Sequence, residues 1–140
     1  MFIPYGKQWL DESDIRAVVK VLRGDWLTQG PKVDEFEKAL GVWCGAKYAV
    51  AFSSGTAALH GAYFVLGIKK GDEVITTPLT FAATANAVIY CHSTPVFADI
   101  NPKTLNIDPK EIEKKINKKT KAISIVDFAG QVCDFDAIQR

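Results

Sequence analysis

The sequence has almost no net charge, few cysteines and no long apolar run. Its 17 basic and 16 acidic residues leave a formal charge of +1, so it lacks the basic surface that attracts nucleic acids or anionic membranes. The three cysteines are odd in number and widely spaced, which argues against a disulfide framework or a zinc site and fits a reducing compartment. No stretch approaches the roughly 20 apolar residues that span a bilayer. We therefore expect a cytoplasmic protein with no nucleic-acid, membrane or metal partner.

The common nucleotide-binding fingerprints are missing as well. The sequence contains neither the G-x-G-x-x-G pattern of dinucleotide-binding domains nor the G-K-[ST] end of a phosphate-binding P-loop. A generic nucleotide-binding α/β domain that binds ATP or NAD remains an alternative, but the sequence lacks the motifs of that class.

What the sequence does contain is a regular alternation of short apolar runs and helical patterns. Strands are predicted at Tyr48–Phe52, Glu73–Thr77, Pro95–Ile100 and Ala122–Val126, with helical patterns between them. Continuous apolar strands that alternate with helices are typical of a parallel sheet covered on both faces, hence of an α/β fold. Helix starts are predicted at Asp11, Pro31, Asp108 (followed by Pro109 and by Glu111 at the capping-box position) and Asp134.

Three loops with suitable chemistry follow predicted strands and so share the carboxyl edge of the sheet, where α/β proteins bind ligands. Ser53–Thr56 leaves the first N–H groups of a helix bare for a phosphate, or is an ordinary capped turn. Phe81, in a segment of small residues, could stack on a planar ring, or is a core phenylalanine at a helix start. Asp127 and Gln131 could be polar ligands, or belong to a glycine turn. Together the loops indicate a parallel α/β protein that binds a planar ligand with a phosphate group.

The order of several tracts is similar to that of the DegT/StrS family of nucleotide-sugar aminotransferases, which depend on pyridoxal 5'-phosphate (PLP) and have fold type I. The tracts are TQGPKVDEFE, SSGTAAL, GDEVITTPLTFAATANA, PVFADI, NIDP and TKAISIVDFAGQ. The resemblance covers nearly the whole chain, and TTPLTFAATANA with VDFAGQ is most like the branch that serves pseudaminic acid synthesis. It implies the N-terminal part of the fold type I large domain, a mostly parallel sheet with helices on both faces.

The resemblance also implies roles for individual residues. Gly55, Thr56 and Ala57 match the turn that holds the cofactor phosphate, and Phe81 matches the aromatic residue that stacks on the pyridine ring. Tyr5, in the N-terminal arm, and Thr28 are implied near the sugar substrate. Residues 1–30 would form the arm, a helix and a loop, and residues 31–140 an incomplete PLP-binding large domain.

By the same resemblance, the reaction is amino transfer in a homodimer. Glutamate would give its amino group to PLP, and the pyridoxamine form would aminate the 4-keto carbon of a UDP-linked 4-keto-6-deoxy-N-acetyl-hexosamine. No catalytic residue is assigned within the chain, because the Schiff-base lysine and the aspartate that pairs with the pyridine nitrogen are expected beyond Arg140. The chain thus resembles an inactive N-terminal fragment, and we expect low solubility when it is made alone.

Two further alternatives stay open. One is a PLP-dependent sugar dehydratase of the same family, in which a histidine replaces the lysine. The other is a non-catalytic truncated module that binds a cofactor phosphate weakly or dimerises with a full-length homologue.

Overall fold

The structure, a computed structural model, describes residues 6–140 and divides the chain into two compact units, Met1–Ala51 and Phe52–Arg140. The first unit contains helices α1 (Glu12–Leu22) and α2 (Pro31–Cys44). Asp11 caps α1 as predicted: its carboxylate accepts the N–H groups of Ser13 and Asp14, and its own N–H donates to the Asp14 carboxylate. Pro31 is the first residue of α2, as its fixed φ angle favours.

The second unit is a three-layered α/β structure. Its elements are α3 (Gly55–Val65), β1 (Glu73–Thr76), α4 (Ala82–Tyr90), β2 (Thr94–Phe97), α5 (Pro109–Glu113), β3 (Thr120–Ser124) and α6 (Phe135–Gln139). The three strands are parallel and lie in the order β2-β1-β3, which confirms the predicted parallel sheet.

The central strand β1 explains why both faces of this sheet carry helices. Val74 and Ile75 are consecutive, point to opposite faces and are fully buried. One face packs on α3 and α4 through a cluster of Tyr63, Ile68, Val74, Ala87, Val88 and Cys91. The other face packs beneath α5 and α6 through a cluster of Ile75, Ala98, Ile107, Ile112 and Cys133. Along the chain, α4, α5 and α6 come after β1, β2 and β3, whereas no strand of the described residues precedes α3.

The strand predicted at Tyr48–Phe52 does not form. The segment has no partner strand within residues 6–140, and Tyr48 is 77% exposed. The Glu37 carboxylate accepts the Ala51 N–H at 2.7 Å, which satisfies one backbone group of the segment. An apolar run becomes a strand only where a neighbouring strand pairs with its backbone N–H and C=O groups. The prediction was wrong because the described residues contain no such neighbour for this segment.

The two short helices α5 and α6 begin where their caps predict. Asp108 accepts the Lys110 N–H at 2.9 Å, and Asp134 accepts the Ala137 N–H at 3.0 Å. Glu111 was expected to complete a capping box with Asp108. It does not, because its carboxylate pairs with Lys114. In the part of the chain that the structure describes, no helix has the length and apolar character needed to cross a membrane.

Candidate functional site

The first helix of the sheet unit begins with a polar turn that leaves N–H groups free. Ser54 is the N-cap of α3: its Oγ accepts the Ala57 N–H at 3.2 Å, and its carbonyl accepts the Ala58 N–H at 3.0 Å. Within residues 6–140, the N–H groups of Gly55 and Thr56 donate to no protein acceptor. Free N–H groups at the positive end of a helix dipole favour an anion, above all a phosphate.

The loop after β1 presents an aromatic ring to solvent. Phe81 is the N-cap of α4 with an extended backbone, and its side chain is 80% exposed. It is therefore not the core phenylalanine that the sequence left as an alternative. Hydroxyl groups order the residues around it: Thr77 Oγ1 accepts the Leu79 N–H at 3.2 Å, and the Thr80 and Thr84 hydroxyls lie 2.8 Å apart. The loop thus holds an exposed ring at the start of a fixed helix.

These two helix starts line one cavity of about 340 Å³. Its walls are Gly55, Thr56, Leu59, Phe81, Ala83 and Thr84. The first turns of α3 and α4 both contribute, so the N-termini of two helix dipoles meet at the same space. The aromatic side chain of Phe81 lines the same cavity as the polar turn, and the volume lies at the lower end of the range typical of small-molecule sites. This combination suits a compact ligand with a phosphate group and a planar ring, which is the description of PLP.

Three cavity residues were missed by the sequence analysis. Leu59, Ala83 and Thr84 are ordinary helix residues by type, and only helical spacing could have indicated them. Leu59 lies three positions after Thr56, and Thr84 three positions after Phe81, which places each pair on one helix face.

Of the three other predicted site residues, the structure describes Ala57 and Thr28. Ala57 is in the first turn of α3, but its N–H is bonded to Ser54. Thr28 is exposed in the α1–α2 loop of the first unit. Tyr5 lies outside the described residues.

The third loop of the carboxyl edge is held by its own hydrogen bonds. The Asp127 carboxylate accepts the Cys133 N–H at 2.9 Å, which closes the turn through Phe128–Gly130. The Cys133 thiol donates to the Val126 carbonyl at 3.3 Å; burial raises the pKa of this thiol, and the Asp127 carboxylate raises it further. The structure thus gives Asp127 a part in shaping the turn, and this loop does not line the cavity.

A buried asparagine joins this loop to the segment before α5. The Asn106 side chain is 4% exposed; it donates to the Gln131 carbonyl at 2.8 Å and accepts the Phe128 N–H at 3.0 Å. Ala129 has φ 53° and Gly130 has φ 83°, left-handed values that an alanine adopts only under constraint. The Asn106 amide bonds to Phe128 and Gln131, the residues on either side of this pair.

Known proteins are similar to this chain in both sequence and structure. The chain is 50% identical over 137 residues to the spore coat polysaccharide biosynthesis protein SpsC of Bacillus subtilis, covering 98% of the chain and 35% of that protein. Spr1654 from Streptococcus pneumoniae, solved in a PLP-form, superposes with a TM-score of 0.93 at 37% identity, over 98% of this chain and 35% of that one. PseC of Helicobacter pylori, an aminotransferase involved in the biosynthesis of pseudoaminic acid, gives a TM-score of 0.89 at 41% identity, over 97% of this chain and 37% of that one.

The chain therefore spans about a third of the length of these relatives. Its α/β architecture is that of the PLP fold type I aminotransferases, as the sequence predicts. The model of the DegT/DnrJ/EryC1/StrS aminotransferase family matches residues 8–140, nearly the whole length, and the chain belongs to that family.

Proposed function

We propose that this chain supplies the phosphate- and ring-binding part of a PLP-dependent nucleotide-sugar aminotransferase. The observation that carries the proposal is that one cavity is lined both by Gly55 and Thr56, whose N–H groups have no protein acceptor within residues 6–140, and by Phe81, whose side chain is exposed. The PLP-form of Spr1654, whose structure this chain closely matches, supports the choice of cofactor.

Each residue has a distinct task in this proposal. The Gly55 and Thr56 N–H groups and the Thr56 hydroxyl hold the phosphate. The Ala57 N–H donates to the Ser54 hydroxyl oxygen, and the hydroxyl proton of Ser54 is then free to donate to a phosphate oxygen. Ala57 thus contributes to phosphate binding by orienting Ser54. Phe81 lies against the ring and excludes water from one of its faces. When bound, PLP carries the amino group between two substrates and serves as the electron sink.

We propose glutamate as the amino donor and a UDP-linked 4-keto-6-deoxy-N-acetyl-hexosamine as the acceptor, aminated at C4 to give UDP-4-amino-4,6-dideoxy-N-acetyl-altrosamine. The support is the TTPLTFAATANA tract with VDFAGQ, together with the likeness to PseC. Tyr5 and Thr28 are the proposed contacts to the sugar nucleotide. The active form in this proposal is a homodimer, with residues 1–30 as arm, helix and loop and residues 31–140 as the N-terminal part of the large domain.

The test is a single-turnover and steady-state assay with the complete gene product, glutamate and the 4-keto sugar nucleotide. Mass spectrometry should detect one 2-oxoglutarate formed for each amino sugar. A product that has lost water but gained no nitrogen would replace this proposal with the dehydratase alternative. No reaction with any 4-keto sugar nucleotide, despite bound PLP, would remove the substrate assignment.

A further inference from the structure

The ring of Phe52, which is 49% exposed, lies against Gly61 in the middle of α3. A Cβ atom on Gly61 would stand 2.7 Å from Phe52 Cζ and 2.9 Å from Phe52 Cε1, closer than carbon atoms approach each other. Gly61 has an ordinary helical backbone, so no left-handed angle calls for glycine here. In a helix interior, glycine is less favourable than alanine because it loses more backbone freedom on folding. Any residue larger than glycine at this position would therefore require the Phe52 ring to shift.

The contact bears directly on the turn that presents the phosphate donors. Phe52 lies two residues before the N-cap Ser54, and its ring returns to the second turn of the helix that Ser54 begins. Apolar contacts between the residues before a helix and its early turns fix the angle at which the chain enters it. Ser54 also stabilises this turn, because its hydroxyl accepts the Ala57 N–H and its carbonyl accepts the Ala58 N–H.

We propose that Phe52 and Gly61 are a positioning pair for cofactor binding. Their contact fixes the path of Ser53 and Ser54 and so the direction of the Gly55 and Thr56 N–H groups. Neither residue lines the cavity, and both act through the turn between them. This inference rests on the proposed function, since it concerns how tightly the same turn holds the phosphate of PLP.

The experiment is a double-mutant cycle on the complete gene product, with the dissociation constant of PLP as its readout. Gly61→Ala should raise that constant roughly tenfold, because the new methyl group displaces the ring. Phe52→Leu lacks the Cε and Cζ atoms that would clash, and alone should raise it only about threefold. The double variant should bind PLP no more weakly than Phe52→Leu alone. A purely structural role would instead give additive losses of melting temperature and leave the constant unchanged.

Amide hydrogen exchange in the cofactor-free protein keeps the inference separate from the proposed function. The Ala57 and Ala58 amides should exchange roughly tenfold faster in Gly61→Ala than in wild type, and recover in the double variant. If wild-type protein fails to bind PLP, the proposed function is wrong, and the exchange rates alone decide the inference. The positioning role is overturned if both amides exchange in Gly61→Ala as they do in wild type. It is also overturned if wild type binds PLP and Gly61→Ala binds it equally well.

Discussion

The exposed ring of Phe81 makes it possible to separate binding from stability at a single residue. Because 80% of the side chain faces solvent, its loss should remove little packing from the folded chain. Phe81→Leu should therefore weaken PLP binding by about fivefold, since stacking of aromatic rings contributes on the order of 1 kcal/mol beyond area burial. The melting temperature of the cofactor-free protein should stay the same.

The matched control is Phe64→Leu, which changes a phenylalanine of α3 that is 74% exposed and does not line the cavity. This variant should bind PLP as wild type does. Equal PLP affinity in the Phe81 and Phe64 variants would show that Phe81 does not stack on the cofactor.

At this scale, local chemistry decides what can be predicted from the sequence. The caps Asp11, Asp108 and Asp134 were predictable because each bonds to N–H groups two or three residues away. Leu59 and Thr84 were not, because their presence in the cavity depends on how α3 and α4 pack together. The rings of His60 and Tyr90 meet edge to face with centroids 5.7 Å apart; this contact between α3 and α4 cannot be predicted from either helix alone.

At the scale of elements, the loop after β3 depends on one buried side chain from elsewhere in the chain. Asn106→Ala removes both hydrogen bonds of the Asn106 side chain, so the Phe128 N–H loses its acceptor and the Gln131 carbonyl loses its donor. An unsatisfied buried polar group costs about 1–3 kcal/mol, so protection of the Phe128 amide against hydrogen exchange should fall by roughly tenfold or more.

Asn101→Ala provides the control for this substitution. Asn101 also uses its side chain in a loop, but its bond from the Lys103 N–H is exposed. Its loss should leave the Phe128 amide unchanged. If Asn106→Ala also leaves that amide protected, the loop is held by Asp127 and Cys133 without help from Asn106.

The strands show both the reach and the limit of prediction from pattern. Three of the four predicted strands form, at Glu73–Thr76, Thr94–Phe97 and Thr120–Ser124, because each pairs with another strand present in the chain. Their ends differ from the predicted ones by up to three residues, since ladder pairing sets where a strand ends. The run at Tyr48–Phe52 is entirely apolar, yet it has no partner strand within residues 6–140 and forms none.

For the whole molecule, the exposed apolar side chains of the sheet unit lead to a prediction about the 140-residue chain prepared by itself. Large apolar side chains of this unit that face solvent include Phe64, Val65, Leu66, Ile89, Tyr90 and Phe97. Large exposed apolar surfaces mark interaction sites or aggregation hazards, and β2 and β3 are both edge strands of the described sheet. We therefore expect poor solubility and a broad, irreversible thermal transition by circular dichroism. A sharp, reversible and cooperative melt of this chain alone would contradict that expectation.

Family membership and fold class were open to prediction from sequence because they depend on the order of many short tracts along the chain. The arrangement of the cavity was not, because it depends on two helices that meet through tertiary packing. The sequence placed Gly55, Thr56 and Phe81 on one edge of a sheet, but only the structure shows that they surround one space.

The most direct test of the central claim, that the first turn of α3 holds a cofactor phosphate, is a titration of the complete gene product with PLP. Thr56→Val keeps the shape of the side chain and removes its hydroxyl, and Thr94→Val makes the same change on an exposed residue at the amino end of β2. We predict saturable binding that inorganic phosphate competes away, weakened by about tenfold in Thr56→Val and unchanged in Thr94→Val. Binding that neither phosphate nor the Thr56 substitution affects would contradict the claim.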